Sequence, residues 1–316
     1  MDGAHFDQES TAAEVVAGLD LAGHRVLVTG VSAGLGVETV RALVGRGAEV
    51  IGTARDLDKA RKATADIAGP GRLVLEKCDL ASLATIRACA DRLLADGRKL
   101  DVVIANAGVM ACPQGKTDEG FETQFGTNHL GHFVLVNRLS PLIPAGGRVV
   151  VLASAGHRNS DVDLDDPNFE HTEYEPVVAY GRSKTANILY AVELDRRLKE
   201  RGVRVGSVHP GSIMTELSRH LDAETLAAYA AQSTKGLAPV RIKTLQQGAA
   251  TSLWVGFAAS ADRIGGRYCE DCGVADIAEV DRTERKGVRP YALDKEKAKE
   301  LWAMSERMVG ERFDGL

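Results

Sequence analysis

Tyr180 and Lys184 lie four residues apart in AYGRSKTANILY, a stretch with helical spacing. Positions i and i+4 share one face of a helix, so the phenol and the ammonium would point into the same cavity. A free phenol has a pKa of about 10 and is a poor base at neutral pH, but a nearby cation stabilises its phenolate. The pair could therefore exchange a proton with an alcohol or carbonyl oxygen. Taken alone, the Tyr-x-x-x-Lys pattern is more often part of an ordinary amphipathic helix.

A glycine loop stands far upstream of this pair, in VLVTGVSAGLGVETV. Gly30, Gly34 and Gly36 separate a β-branched run from a helical pattern. Glycines here let a pyrophosphate approach the backbone, and the following helix offers its unpaired N–H groups. The alternative is a tight strand-to-helix turn without a ligand. The spacing is G-x-x-x-G-x-G, which differs from the G-x-G-x-x-G of the common dinucleotide fingerprint.

The elements that must position these residues alternate along the chain. Apolar runs predict strands at 25–29, 49–54, 72–76, 101–105, 148–153 and 203–208. Helical patterns lie at 35–46, 57–68, 82–96, 119–139 and 178–201, with Asp56 and either Asp79 or Ser82 as helix caps. Continuous apolar strands separated by helices indicate a parallel sheet covered on both faces. We therefore predict an α/β, Rossmann-type, doubly wound fold in a single domain, with residues 1–22 as an N-terminal extension and 23–316 as the catalytic domain.

Composition excludes several classes of protein. The chain has 316 residues, a net charge of −5 and 44% hydrophobic residues, and its basic residues form no stripe that would bind nucleic acid. It contains no apolar run long enough to span a membrane and no secretory signal, so we expect no membrane anchor. Its odd number of cysteines, five, suits free thiols in the cytoplasm.

At this point the chain resembles the classical short-chain dehydrogenase/reductase family, whose glycine loop reads T-G-x-x-x-G-x-G. TGVSAGLG fits that pattern, and the resemblance extends over residues 24 to about 270. It implies a catalytic set in which Tyr180 is the acid/base and Lys184 favours its phenolate. Ser154, at the end of RVVVLAS, would hydrogen-bond the substrate oxygen, and Asn128, in GTNHLGHF, would anchor a water of the proton relay.

The same resemblance implies a nicotinamide cofactor site. Asp79 would bond the adenine amine, Lys184 would hold the nicotinamide ribose, and Ile213 and Thr215 would fix the carboxamide. Ala105 stands where the family's N-N-A-G has its first Asn, so one polar contact would be lost. The full set implied for cofactor binding is Gly30, Ser32, Gly34, Leu35, Gly36, Arg55, Asp79, Leu80, Asn106, Ala107, Gly108, Tyr180, Lys184, Pro210, Gly211, Ile213 and Thr215.

The end of the second predicted strand indicates which cofactor is used. An acidic residue there holds the ribose 2′-hydroxyl of NAD. This chain has Ala54 at that position, followed by Arg55, and a guanidinium is a good partner for a 2′-phosphate. We therefore expect NADP(H) in preference to NAD(H). Two points oppose this: Arg55 could be a solvated residue ahead of the Asp56 cap, and Ala33 occupies a position where many NADP-preferring relatives are basic.

The 26-residue gap between Ser154 and Tyr180 is longer than in compact members of the family. With TARD, TNHLGHF and SVHPGSIMTEL it most resembles the retinol-dehydrogenase-like branch, which implies a lipophilic alcohol, aldehyde or ketone as substrate. Residues 156–176 of this gap carry seven acidic residues against one Arg. We interpret this acidic insert as a solvated surface loop; the alternative, a position at the substrate mouth, would disfavour anionic substrates.

Other features carry less weight. Cys269 and Cys272 have redox or zinc spacing but no second pair of ligands, so no metal site is predicted. His129, His132 and His157 are expected to pack in the core or in a pocket wall. The amphipathic tail at 290–310 would cover the substrate side or form a subunit contact in a homo-oligomer. The competing hypothesis for the whole chain is a protein that binds NADP(H) as a sensor or scaffold without turnover.

Overall fold

The computed structural model describes residues 5–220, 241–278 and 286–316. The central strands of its main sheet are buried on both faces, as their continuous apolar runs require. The strands are β1 (Arg25–Thr29), β2 (Glu49–Ala54), β3 (Arg72–Lys77), β4 (Val102–Ala105), β5 (Arg148–Leu152), β6 (Arg204–His209), β9 (Tyr268–Glu270) and β10 (Gly273–Val274). A separate pair, β7 (Ser212–Ile213) and β8 (Ile242–Lys243), lies apart from this sheet.

The sheet has the order β10-β9-β6-β5-β4-β1-β2-β3. Every neighbouring pair is parallel except β9 and β10, which form an antiparallel hairpin at one edge. The strand order reverses between β1 and β4, so the loops after these strands diverge and leave a crevice. In open parallel sheets, ligands bind in such a crevice at the carboxyl ends of the strands.

Helices cover both faces of the sheet and enclose two apolar clusters. The described helices are α1 (Ala12–Val16), α2 (Leu35–Val44), α3 (Leu57–Ala63), α4 (Leu83–Asp96), α5 (Thr123–Phe125), α6 (Gly131–Leu139), α7 (Pro176–Leu198), α8 (Leu245–Leu253), α9 (Ala261–Ile264) and α10 (Lys295–Val309). Helices α4, α6, α7 and α10 contribute to one cluster, and α1, α2 and α8 contribute to the other. This is the predicted doubly wound α/β fold in a single domain.

The structure corrects several predicted bounds. Helix α3 ends at Ala63 rather than at residue 68, where a turn precedes Pro70 and Gly71. The segment predicted as one helix over 119–139 begins at Thr123 and contains a π-helical turn, Gly126–Leu130. Strands β9 and β10 were not predicted, because each is only two or three residues long and shows no periodicity.

The first and the last described helices pack against the rest of the domain. Thr11 caps α1 with a capping box, and Val15 and Val16 are buried with α2 and α8. At the other end, Trp302 of α10 packs edge-on to Phe133 of α6, with ring centroids 4.9 Å apart. The predicted C-terminal helix therefore packs on α6 and α7 within its own chain, as part of the core. No helix in the described part of the chain is long and apolar enough to cross a membrane.

Candidate active site

The glycine loop connects β1 to α2 through two left-handed turns. Gly30 has φ +75° and Gly34 has φ +63°, conformations that favour glycine. A Cβ on Gly36 would lie 2.2 Å from the Gly30 carbonyl oxygen, so the loop folds tightly on itself there. Gly34 caps α2 without any side-chain hydrogen bond, which leaves the first N–H groups of the helix without a side-chain cap. Ser32 lies half-buried in the turn between these glycines. The loop fits an anionic group at this helix end.

The ends of β1 and β4 are joined by Thr29. Its hydroxyl oxygen accepts the N–H groups of Asn106 and Ala107, both at 2.9 Å, and Asn106 Nδ2 donates to the Thr29 carbonyl oxygen at 2.7 Å. A Cβ on Gly30 would meet Ala107 Cβ at 2.8 Å, so the two loops touch directly. The predicted Asn106-Ala107-Gly108 motif therefore lies beside the glycine loop. Its asparagine acts within the protein, as a tie between the two strand ends.

His132 extends this connection to the π-helical turn. Because both acceptor positions of the Thr29 hydroxyl are used, its hydrogen is left for His132 Nε2 at 2.9 Å. Nδ1 then carries the ring proton and donates to the Asn128 carbonyl oxygen at 3.0 Å. Burial and, to a smaller extent, the charge of Lys184 lower the pKa of His132 to about 4, although the hydrogen bond to the Asn128 carbonyl acts in the opposite direction. The ring is thus a neutral bridge between β1 and Asn128.

Asn128 is held by its neighbours on both sides of its amide. Oδ1 accepts the Val109 N–H at 2.8 Å, while Nδ2 donates to the Val109 carbonyl and to Ser183 Oγ, both at 2.9 Å. A Cβ on Gly108 would lie 3.1 Å from Asn128 Oδ1 and 3.5 Å from Lys184 Nζ. Asn128, Gly108 and Lys184 therefore lie close together. The side chain of Asn128 keeps one acceptor position of Oδ1 for a further partner, since both Nδ2 hydrogens are used. π-helical turns are frequent at functional sites.

Tyr180, Lys184 and Ser154 come together at the carboxyl end of β5. Lys184 Nζ lies 5.7 Å from the centre of the Tyr180 ring. Ser154 Oγ accepts the Gly156 N–H at 3.0 Å, and a Cβ on Gly156 would lie 2.7 Å from Tyr180 Cε1 and 3.4 Å from Ser154 Oγ. The absence of a side chain at Gly156 thus lets the phenol and the hydroxyl approach each other. Because Ser154 Oγ accepts from Gly156, its own hydrogen can be donated to a ligand.

Lys184 is fully buried, and burial lowers the pKa of its ammonium to about 7. Its Nζ donates to the Leu152 carbonyl oxygen at 3.0 Å, two residues before Ser154. Asn187 Nδ2 donates to the same oxygen at 2.9 Å. The lysine is therefore fixed between β5 and Tyr180, with its charge weakly solvated. An anion nearby would restore the charged form, and a phenolate is such an anion.

The ends of β2 and β3 place Arg55 and Asp79, both predicted to contact the cofactor, beside each other. Arg55 Nε lies 4.0 Å from Asp79 Oδ2, and 75% of the Arg55 side chain is exposed. Asp56 caps α3 by accepting the Lys59 N–H at 2.9 Å, which confirms the predicted cap. Asp79 Oδ1 accepts the Ala81 N–H at 3.0 Å, and the adjacent Leu80 is buried. Leu80 is thus a core residue whose backbone borders the site.

Across the crevice, Pro210 and Gly211 follow β6, and Gly211 has φ +97°. The next two residues form β7, which pairs in parallel with β8. Thr215 lies 3.7 Å from where a Gly34 Cβ would be, so it faces the glycine loop. Leu35 and Ile213 both contact the position of a Cβ on Gly248, at 2.7 and 2.9 Å. The segment after β6 therefore lies against the glycine loop and the start of α2.

Sequence reasoning missed the residue that holds the Ser154 backbone. His157 Nδ1 donates to the Ser154 carbonyl oxygen at 2.6 Å, and its Nε2 accepts the Arg289 N–H at 3.2 Å. Burial lowers the pKa of His157 to about 3, so the ring is neutral. The expectation of a packed histidine was right, but no pattern in the sequence links positions 157 and 289. The contact between these two residues becomes apparent only in the folded structure.

A match to a known protein family identifies the family of this chain. The family model described as short chain dehydrogenase matches residues 24–226, nearly two thirds of the chain. The chain belongs to the short-chain dehydrogenase family. It is thus an oxidoreductase of a family that binds nicotinamide cofactors, in agreement with the glycine loop and the Ser154–Tyr180–Lys184 cluster.

Curated relatives of this short-chain dehydrogenase share more than a third of its residues. Short-chain dehydrogenase/reductase prx1 of Penicillium roqueforti is 40% identical over 289 residues, covering 90% of this chain and 84% of that protein. Retinol dehydrogenase 14 of Mus musculus is 38% identical over 303 residues, covering 91% and 86%. The predicted retinol-dehydrogenase-like branch is therefore confirmed by similarity.

Solved structures agree with this assignment. A putative uncharacterized protein from Mycobacterium paratuberculosis has a TM-score of 0.74 and 34% identity, covering 96% of this chain and 98% of the other. A short chain dehydrogenase from Burkholderia cenocepacia, crystallised in complex with NADP, has a TM-score of 0.64 and 25% identity, covering 81% and 99%. These matches place the short-chain dehydrogenase chain among Rossmann-fold proteins.

Cys269 and Cys272, which have the spacing of zinc ligands or of a redox pair, lie near the sheet edge of this short-chain dehydrogenase. Cys269 is in β9 and Cys272 is in the β9–β10 turn, and both thiols are buried. Cys272 packs beside Thr251, with Sγ and Oγ1 4.0 Å apart. Burial raises the pKa of Cys269 to about 12 and that of Cys272 to about 11. These thiols behave as small apolar side chains in the second cluster.

Proposed function

We propose that this chain is an NADP(H)-dependent oxidoreductase that interconverts an alcohol and its ketone or aldehyde. The observation that carries the proposal is the convergence of Ser154, Tyr180 and Lys184 beside Gly156, at the edge of the sheet where the glycine loop also opens. A phenol beside a buried ammonium and a hydroxyl with a free hydrogen form an acid/base site for a carbinol oxygen. When bound, NADP(H) would supply or accept the hydride.

Each side chain has a separate task in this mechanism. The Ser154 hydroxyl donates to the carbonyl oxygen and orients it toward Tyr180. In the direction of reduction, Tyr180 gives its proton to that oxygen as the hydride reaches the carbon; in oxidation it takes the proton back. Lys184 stabilises the phenolate that remains, since its buried charge has no other anionic partner among the residues that the structure describes. Asn128 completes the route by which the proton is replaced, through the remaining acceptor position of its Oδ1.

The preference for NADP(H) rests on the charges at the end of β2. Ala54 offers no carboxylate to a ribose 2′-hydroxyl, and Arg55 extends into solvent beside the crevice. A guanidinium there is a bidentate partner for a 2′-phosphate. The B. cenocepacia relative was crystallised with NADP, which supports the same cofactor in this chain.

The substrate we propose is neutral and lipophilic. Retinol dehydrogenases 14 and 13 are among the relatives of this chain, and the name of each refers to an apolar alcohol. Three acidic side chains of the insert, Asp165, Glu170 and Glu173, are exposed and form no ion pair within the described residues. They would disfavour an anionic substrate near the site.

We also propose a cytoplasmic location and a homo-oligomeric assembly for this chain. All five cysteines are free and buried, which suits the reducing cytoplasm. The homo-oligomer stays a prediction that analytical ultracentrifugation can test.

Turnover of a panel of ketones and aldehydes, followed by NADPH oxidation, tests the function. We expect at least one neutral apolar carbonyl compound to be reduced, and Tyr180→Phe to lower kcat by about 10²–10⁴-fold while NADPH still binds. Tyr190→Phe is the matched control, since its buried hydroxyl bonds Asn137 at 2.8 Å in the core. NADPH binding without any turnover would instead favour the sensor or scaffold, and a Tyr180→Phe variant with the wild-type rate would refute the mechanism.

A further inference from the structure

Ala111 has an unusual backbone conformation close to the catalytic residues. It follows Asn106-Ala107-Gly108 by three residues, and its φ is +50° although it is not glycine. A non-glycine residue in the left-handed region is held there by its surroundings, and such residues cluster at binding sites. Both Ala111 and the adjacent Cys112 are buried. The Ala111–Cys112 turn is therefore fixed by the residues that pack around it.

Gln124 is the residue that holds the turn. Its side chain is fully buried, and Oε1 accepts the Ala111 N–H at 2.8 Å. Nε2 donates to the Pro176 carbonyl oxygen at 2.9 Å and to Tyr174 Oη at 3.0 Å. Pro176 is the first residue of α7, one turn before Tyr180. One amide thus joins the Ala111 turn to the start of the helix that carries the acid/base pair.

Tyr174 makes the second connection, from the acidic insert. Its hydroxyl accepts from Gln124 and donates to the Cys112 carbonyl oxygen at 2.9 Å. Glu122 supports both residues, because its carboxylate accepts the N–H groups of Gln124 and Phe125 and lies 3.3 Å from Tyr174 Oη. Burial raises the pKa of Glu122. The end of the insert is therefore tied to the Ala111 turn by side chains that are themselves fixed.

The rest of the insert is a surface loop with exposed residues at 170–173, and it also forms bonds within itself and to α7. Asp166 is buried and accepts three backbone N–H groups, those of residues 170, 171 and 172. Asp163 pairs with Arg182 of α7 at 3.4 Å, and Arg182 also lies 4.2 Å above the ring of Phe169. Much of the acidic character of the insert is thus used in its own folding. The insert is built as a wall along α7.

We propose that Gln124 and Tyr174 are positioning residues that set substrate specificity. They clamp the Ala111–Cys112 turn to the insert and to the start of α7, and so fix the position of this turn relative to Tyr180, where the carbonyl group of the proposed substrate would react. This inference rests on the proposed carbonyl reduction. It identifies the part of the protein that selects substrates by size. Substrates selected by this wall are neutral, because the turn is apolar and the exposed charges of the adjacent insert are acidic.

Tyr174→Phe removes one hydroxyl from the clamp, and Gln124→Leu removes the whole amide at similar volume. The substrates are acetophenone, 4-tert-butylacetophenone, 4-acetylbenzoate and its methyl ester, each with NADPH. In the wild type, kcat/KM should differ between acetophenone and 4-tert-butylacetophenone. We expect this ratio to be about fivefold closer to one in Tyr174→Phe, the effect of one lost hydrogen bond. The change should arise in KM, with kcat for acetophenone and the Kd for NADPH unchanged within about twofold.

Tyr190→Phe provides the matched control, because it loses an equally buried hydroxyl bond in the core. It should lower thermal stability and leave the selectivity ratio unchanged. If Tyr174→Phe and Gln124→Leu also leave the ratio and both KM values unchanged, the clamp does not determine specificity. Equal turnover of 4-acetylbenzoate and its methyl ester would overturn the stated substrate charge.

A readout without turnover separates this proposal from the proposed function. Hydrogen exchange at the Ala111 amide reports the bond to Gln124 directly, with or without NADPH. We expect exchange to accelerate by about tenfold in Gln124→Leu, and wild-type exchange in that variant would refute the clamp. If the wild-type enzyme reduces none of the four ketones but exchange at the Ala111 amide accelerates in Gln124→Leu as expected, the bond between Gln124 and the turn is supported and the proposed substrate class is refuted.

Discussion

The ammonium of Lys184 lies 5.7 Å from the centre of the Tyr180 ring and has no carboxylate partner within the described part of the chain. Its fixed partner is a neutral carbonyl oxygen, that of Leu152. The site thus buries a cation that a neighbouring phenolate would neutralise. This arrangement would favour the proposed reaction and opposes folding, because the pKa of Lys184 falls from 10.5 to about 7 on burial.

Lys184→Met should make the chain more stable and inactive. Between pH 7 and 10.5 the unfolded chain binds the proton more tightly, so the stability of the wild type rises with pH across this window. Below about pH 7 the full cost of burying the charge applies. We expect the variant to gain about 1–4 kcal/mol at pH 6.5, with the gain shrinking toward pH 10, in urea unfolding of the apo enzyme. Leu152 keeps a donor in Asn187, so no acceptor is left unpaired.

Lys243→Met is the contrasting control for this experiment. Lys243 is equally buried, but its Nζ lies 2.6 Å from Asp271 Oδ1. Its removal should lower stability, since it takes a counter-ion from a half-buried carboxylate. A loss of stability in Lys184→Met at neutral pH would show that its ammonium is not a cost to folding.

Gly156→Ala should damage catalysis through a single methyl group. The new Cβ would lie 2.7 Å from Tyr180 Cε1, closer than carbon atoms can approach, so the phenol must move away from Ser154. Displacing a reacting group by about 1 Å costs about 10²-fold in rate. We expect such a fall in kcat, with the Kd for NADPH nearly unchanged. Gly315→Ala, where no atom lies within 4 Å, is the control; normal kcat in Gly156→Ala would contradict the close approach.

Periodicity and motif spacing predicted what is local in sequence. The six long strands, the glycine loop and the Tyr180–Lys184 helix depend on neighbouring residues, and the structure has them within a few positions of the prediction. What the sequence did not show are contacts between distant segments. The Gln124–Tyr174 bond spans 50 residues and the His157–Arg289 bond spans 132, and neither has a fixed spacing. Strands β9 and β10 were not predicted, because they are stabilised by strand pairing, of β9 with β6 and of β10 with β9, rather than by the preferences of their own residues.

Arg55→Ala should change the cofactor preference without affecting the fold. A charge-assisted bond to a 2′-phosphate contributes enough that its loss raises the Kd for NADPH about ten- to a hundredfold. The Kd for NADH should change by less than about twofold, because NADH lacks that phosphate. Arg61→Ala, which removes an exposed Arg of α3 paired with Asp58 at 2.5 Å, is the matched control. Equal losses for both cofactors, measured by fluorescence titration, would place the 2′-phosphate elsewhere.

Trp302→Ala tests the role of the C-terminal helix. The indole lies between Phe133 and Tyr190, and the guanidinium of Arg197 lies 4.0 Å from the ring centre. Truncating such a buried aromatic residue costs about 3–5 kcal/mol, so we expect a marked fall in the urea midpoint. The KM of a reduced ketone, measured well below the unfolding temperature, should stay within about twofold of wild type, because the contacts of Trp302 lie in the core. Lys299→Ala, on the exposed side of the same helix, should change neither quantity. A large rise in KM with unchanged stability would assign the helix to the substrate site after all.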